Sequence, residues 1–269
     1  MLTAYDATMA RIVDDAGVDT ILVGDSLGMV VEGLPNTLEV TVEQTAYHSR
    51  SVRRGAPRAF LIADLPFMSY QTSVADAVRN AGILVREGRA EAVKLEGGVA
   101  VADRIEAIVA AGVPVVGHVG LTPQSVNAFG GFKVQGRSQS AADRVVEDAR
   151  AVQAAGACMV VLEGVPRELA ARITADLLIP TIGIGAGAGC DGQVLVCTDL
   201  LGMNPDFKPK FVRHFIDGYA QMKGAFSAYI DAVHDGSFPA ENESFSAPEV
   251  SGRLTALAGG LERERGQKG

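Results

Sequence analysis

Short apolar runs, most of them ending in glycine or an acidic residue, alternate along this chain with longer segments whose apolar residues recur every three or four positions. The runs at 19–25, 59–64, 92–96, 114–118, 159–163, 180–185 and 194–197 read as strands buried on both faces, and residues 1–6 read as the end of another. Helical spacing covers 7–16, with Met9, Ile12 and Val13 on one face, then 41–53, 73–87, 101–111, 140–155 and 166–175. Thr41 is a candidate N-cap with Gln44 three residues on. A last helical pattern over 211–233 is expected to pack as the outer helix after strand eight.

This alternation predicts an α/β protein, and a (β/α)8 TIM barrel fits it better than an open doubly wound sheet. Residues 1–235 would form one barrel domain that begins within its first strand. Residues 236–269 would be a C-terminal extension, mobile at its end because its composition turns to Ser, Pro, Glu and Gly. The segment 120–139 breaks the rhythm and is expected to act as a lid loop over the site.

In a barrel the C-terminal strand ends ring one mouth, and that is where this chain places its acids. Val23-Gly24-Asp25-Ser26, Leu61-Ile62-Ala63-Asp64, Val93-Lys94-Leu95-Glu96 and Val161-Leu162-Glu163 repeat one pattern, an apolar strand closing on a carboxylate. One such acid is usually a turn residue or a helix N-cap. Four at equivalent positions call for a shared cause, and oxygen ligands without a His or Cys cluster point to a hard divalent ion, Mg2+ or a substitute such as Mn2+. Lys94 sits two residues before Glu96, so both side chains point the same way; Lys94 would hold an anionic substrate or form an ion pair with Glu96. Glu163 is a candidate general base, and His118 ends the fifth strand at the same mouth. The glycine-rich stretch 183–189 lacks the helix and later acid of a dinucleotide site and reads as a close-packed loop.

Composition narrows the classes. The 269 residues are 48% hydrophobic and 21% charged, enough for a large core, and the net charge of −8 with no basic run argues against nucleic acid. No segment approaches the roughly 18 consecutive apolar residues of a membrane span, which predicts a cytoplasmic protein. Cys158, Cys190 and Cys197 lack paired ligand spacing and are expected to be buried, reduced thiols.

Several blocks resemble the ketopantoate hydroxymethyltransferase family: Thr3-Ala4-Tyr5-Asp6, Gly24-Asp25-Ser26-Leu27-Gly28, Ala63-Asp64-Leu65-Pro66-Phe67, Lys94-Leu95-Glu96-Gly97-Gly98, Gly117-His118-Val119-Gly120-Leu121-Thr122-Pro123-Gln124, and Gly130-Gly131-Phe132-Lys133-Val134-Gln135-Gly136-Arg137. By that resemblance the chain is expected to lack the segment that usually precedes strand one in the family. The resemblance implies a barrel of the phosphoenolpyruvate/pyruvate superfamily, commonly a homodecamer. It implies that Asp25, Asp64 and Glu96 bind Mg2+, that Asp25, Ser26, Asp64, Lys94 and His118 bind substrate, and that Glu163 accepts the proton. It also implies an activity: 5,10-methylenetetrahydrofolate donates a hydroxymethyl group to 3-methyl-2-oxobutanoate through a Mg-stabilised enolate, giving 2-dehydropantoate and tetrahydrofolate in pantothenate and coenzyme A biosynthesis. A related metal-dependent 2-oxo-acid lyase or aldolase, or a non-catalytic metabolite-binding barrel, is the alternative.

Overall fold

The computed structural model describes residues 1–246. It contains two compact units, Met1–Ile216 and a second that begins at Asp217. The first is an α/β unit around a curled, barrel-like sheet of eight parallel strands in sequential order. The strands are β1 Leu2–Thr3, β2 Thr20–Val23, β3 Phe60–Asp64, β4 Ala92–Glu96, β5 Val115–Gly120, β6 Met159–Glu163, β7 Thr181–Ile184 and β8 Gly192–Gln193. Just past β8, Leu195 forms a parallel bridge to Leu2, and the Thr3 N–H donates to the Leu195 carbonyl at 3.2 Å. The chain just past β8 is thus bridged to β1.

The helices of this unit are α1 Ala7–Asp15, α2 Leu27–Val30, α3 Val42–Gly55, α4 Val74–Arg86, α5 Ala102–Ala110, α6 Val126–Phe129, α7 Gln139–Ala154, α8 Arg167–Asp176 and α9 Cys197–Leu200. Their ends follow local chemistry. Asp6 caps α1, Thr41 and Gln44 close a reciprocal capping box on α3, and Ser73 and Ser138 cap α4 and α7.

Strand alternation sorts the core into two sets. Ile21, Val23, Leu61, Ala63, Val93 and Leu95 pack with residues of the surrounding helices. Leu22, Ile62, Ala92, Val116, Val161, Ile182 and Val194 form a separate buried cluster, one from each of β2 to β7 and one beside β8. Because side chains on a strand repeat their face every second residue, two steps on from this layer come Gly24, Asp64, Lys94, His118, Glu163 and Ile184. A polar layer thus lies directly on an apolar one.

Three expectations are corrected. Strand eight lies at Gly192–Gln193 rather than 194–197, because the backbone at Val196 already leads into α9. The last helix, α10 Gly218–Asp235, starts seven residues later than the apolar spacing suggests, where the Asp217 side chain accepts the Ala220 N–H. Along it Tyr219, Met222, Phe226, Tyr229, Ile230 and Val233 are exposed. Finally, only Cys197 is buried among the cysteines; Cys158 is exposed and Cys190 intermediate. Residues 120–139 are also more ordered than a bare loop, containing a 3-10 turn at Pro123–Ser125 and helix α6. The tail at 259–269 lies outside the described residues. Among those described, no helix is long and apolar enough to cross a membrane.

Gly120 shows how tightly β5 and β6 are joined beside the polar layer. Its φ is +93°, and a β-carbon there would collide with the Glu163 carbonyl oxygen and the Val165 side chain. Gly120→Ala should therefore lower unfolding free energy by about 1–3 kcal/mol in urea denaturation. A change within about 0.5 kcal/mol would contradict the tight junction.

Candidate active site

The acids that close β3 and β4, with the one in the turn after β2, come together as the strand pattern requires. Asp25, Asp64 and Glu96 are respectively 4%, 1% and 5% exposed. Adjacent-strand register places Asp64 opposite Lys94 and Glu96 opposite His118. None of these acids serves as a helix cap through its side chain. Asp64 accepts the Asp25 N–H at 3.1 Å and pairs with the Lys94 ammonium; Glu96 accepts the Gln124 N–H at 2.9 Å. The turn-and-cap explanation therefore fails at these positions.

Electrostatics here are strained by burial. Removal from water, reinforced by the neighbouring Asp64 and Glu96 carboxylates, pushes the Asp25 carboxyl well above the usual range. Burial also raises Asp64, against the opposing pull of Lys94. Burial would lower the Lys94 ammonium, but Asp64, Glu96 and Asp25 outweigh it and hold the lysine charged. Burial likewise opposes ionisation of Glu96, yet His118, Lys94 and the Gln124 N–H bring its carboxyl below the ordinary value.

His118 is 2% exposed and sits between two acids. Nδ1 lies 3.5 Å from Glu96 Oε1 and Nε2 lies 3.3 Å from Glu163 Oε2, while neither nitrogen makes a directed hydrogen bond. Burial and Lys94 lower its pKa, but the flanking carboxylates prevail and raise it to about 9. Glu163 is only half-buried and so more exposed than the other acids. Ser26 is half-buried at the start of α2, makes no capping bond, and lies 2.8 Å from the Tyr5 hydroxyl. Every residue singled out in the sequence thus falls on one side of the sheet or in the turns directly after it.

Sequence reasoning missed the residues that hold these groups in place. Tyr5, Tyr70 and Gln124 are buried. Gln124 donates to Asp25 Oδ2 at 2.8 Å, and the Tyr70 hydroxyl accepts the Glu96 N–H at 3.1 Å. The only signal for Gln124 was its place in the block from Gly117. A surface cleft formed by 136–139, Ala142, Pro166, Glu168, Leu169 and Arg172 is lined by none of the acids named above.

Among the described residues, no group of three or more His, Cys, Asp or Glu side chains is gathered closely enough to hold a metal ion. The donor chemistry fits one all the same. Glu96 Oε1 is buried with no hydrogen-bond partner, and among the described residues Lys94 and His118 are the cations that pair with the group of Asp25, Asp64, Glu96 and Glu163. The surplus of negative charge in a dry layer of oxygen donors suits a hard divalent ion.

A family model described as ketopantoate hydroxymethyltransferase matches residues 1–241. The chain belongs to the ketopantoate hydroxymethyltransferase family. It is 58% identical over 245 residues to the 3-methyl-2-oxobutanoate hydroxymethyltransferase of Enterococcus faecalis, covering 91% of this chain and 89% of that protein. The protein of the same name from Clostridium botulinum is 56% identical over 249 residues, covering 93% and 90%. Among solved structures, phosphoenolpyruvate phosphomutase from Streptomyces platensis subsp. rosaceus superposes with a TM-score of 0.60 at 15% identity, covering 98% of this chain and 92% of that one. 2,3-Dimethylmalate lyase, of the PEP mutase/isocitrate lyase superfamily, gives 0.55 at 19% identity, covering 100% and 92%. Those two likenesses concern the fold alone.

The raised Asp25 carboxyl gives a test of the electrostatic picture. A carboxyl whose folded pKa exceeds its unfolded value contributes stability that is complete below the unfolded pKa and lost as pH rises through the folded one. In chelator, Asp25→Asn should unfold at higher urea than the parent chain near about pH 8, with the gap closing toward about pH 4. A variant less stable at the higher pH would contradict crowding of buried charge as the cause.

Proposed function

We propose that this member of the family transfers a hydroxymethyl group from 5,10-methylenetetrahydrofolate to 3-methyl-2-oxobutanoate, giving 2-dehydropantoate and tetrahydrofolate in pantothenate and coenzyme A biosynthesis. Family membership and the names of the curated relatives support the reaction. The observation that carries the residue assignment is the polar layer itself, in which buried acids, one lysine and one histidine face a half-exposed glutamate.

In this reading Asp25, Asp64 and Glu96 would hold Mg2+, or Mn2+ in its place. When bound, the ion supplies Lewis-acid polarisation of the 2-oxo acid, which acidifies the hydrogen at C3. Lys94 and Ser26, with His118 alongside, bind and orient the carboxylate and keto oxygens. Lys94 suits this role because its acidic neighbours keep it charged. Tyr5 fixes the Ser26 hydroxyl for the same task.

Glu163 accepts the C3 proton. Its carboxylate is half-exposed and backed by a histidine, a setting in which a base is reachable by substrate yet oriented. Carbon C3 then bonds to the one-carbon unit of the folate as that unit's bonds to the two folate nitrogens are given up, and water supplies the hydroxyl oxygen. The proposal extends to a closed (β/α)8 barrel, a cytoplasmic location and a homodecameric assembly, none of which the residue roles depend on.

Deuterium exchange at C3 of 3-methyl-2-oxobutanoate in heavy water, followed by proton NMR without folate, isolates the proton-transfer step. Exchange should require divalent ion and should fall at least about 100-fold in Glu163→Gln. Undiminished exchange in that variant would rule out Glu163 as the proton acceptor.

A further inference from the structure

Asp25, Asp64 and Glu96 come from three different strand ends, and one residue from a fourth touches all three neighbourhoods. Gln124 lies in the turn Pro123–Ser125 that follows β5. Its side-chain Nε2 donates to Asp25 Oδ2 at 2.8 Å and to the carbonyl of Leu65, the residue after Asp64, at 3.0 Å. Its Oε1 accepts from the Tyr70 hydroxyl at 2.8 Å and from Gln71 Nε2 at 3.1 Å. Its backbone N–H donates to Glu96 Oε2 at 2.9 Å.

A primary amide has two N–H donors and an oxygen with two lone pairs, and here all four are used. Nε2 faces a carboxylate and a carbonyl, which only accept, so turning the amide over would set oxygen against oxygen at both. The orientation is therefore fixed by its partners. Tyr70 extends the same clamp to the backbone of Glu96: its hydroxyl accepts the Glu96 N–H at 3.1 Å and lies 3.0 Å from the Glu96 carbonyl oxygen. Gln124 is 5% exposed and Tyr70 1%, so water does not compete for these bonds.

Charge explains why an amide suits this position. A lysine or arginine reaching Asp25 would neutralise it and oppose a bound cation, while a glutamate would add a further carboxylate to a layer already short of positive charge. Glutamine brings donors without charge. It can hold a carboxylate oxygen in place and leave its negative charge available.

We propose that Gln124, braced by Tyr70, is the positioning residue that sets Asp25 and Glu96 for divalent-cation binding. This rests on the reading that those carboxylates hold the ion. Outer hydrogen-bond partners of metal ligands commonly govern affinity in this way.

The test uses the full chain, freed of metal, and Mn2+ alone as the probe. Electron paramagnetic resonance measures both free Mn2+ and the spectrum of the bound ion, and urea denaturation in chelator checks that each variant is folded. Asp25→Asn serves as the reference for the site itself. Gln124→Met, which keeps length but removes the amide, should fold cooperatively, weaken Mn2+ binding by about 10- to 100-fold and change the bound-ion spectrum. A purely structural role would lower the metal-free urea midpoint and leave affinity and spectrum as in the parent chain, and that result would overturn the proposal. If Gln124→Met does not fold, Tyr70→Phe carries the test: weaker Mn2+ binding with an altered spectrum supports the clamp, and unchanged binding overturns it. If Asp25→Asn binds Mn2+ as the parent chain does, the assignment of the ion to these carboxylates fails and the proposal with it. Weakening by Asp25→Asn but not by either clamp variant would refute the proposal alone.

Discussion

Three carboxylates removed from water at neighbouring strand ends of one sheet cannot all stay ionised without positive charge, and most of what surrounds them answers that constraint. Lys94 pairs with Asp64, His118 stands between Glu96 and Glu163, and Gln124 and Tyr70 supply uncharged hydrogen bonds. Even so the balance is incomplete: Asp25 is pushed toward its protonated form and Glu96 Oε1 has no partner. A core optimised only for stability would not keep such a layer. Its place on a well-packed apolar floor of Leu22, Ile62, Ala92, Val116 and Val161 is what supports assigning the proposed site to this region.

Much of this was legible because strand geometry is simple. Parallel strands buried on both faces appear as short apolar runs, and the two-residue period then dictates that Lys94 and Glu96 share a face with Ala92, as Asp64 does with Ile62. The Thr41 and Gln44 capping box was equally readable, since it depends on residues three apart. What escaped prediction depends on contacts between distant positions. Gln124 reaches an acid 99 residues earlier, and Tyr5 reaches Ser26 across a helix, so no local pattern announces either. Strand eight was misplaced because the residues that pair with β7, Gly192 and Gln193, precede the apolar run 194–197 and are not apolar themselves, and the start of α10 was misplaced because apolar spacing continues through a non-helical turn ahead of Asp217.

The fold and the chemistry separate cleanly in this molecule. Phosphoenolpyruvate phosphomutase and 2,3-dimethylmalate lyase share the architecture at 15% and 19% identity, yet their names denote other reactions. Relatives at 56% and 58% identity over nine-tenths of the chain carry one name. Under the proposed function, the burial that strains Asp25 and the charge that Lys94 retains are two parts of one arrangement, a site short of one cation and ready for an anionic substrate.

The most direct examination of that account is an anomalous-scattering map from crystals of the protein grown with Mn2+ and 3-methyl-2-oxobutanoate. The account predicts a single strong peak bounded by the carboxylates of Asp25, Asp64 and Glu96, with the 2-oxo acid between that peak and Glu163. A peak at another cluster of acids, or substrate bound with its C3 turned away from Glu163, would contradict it.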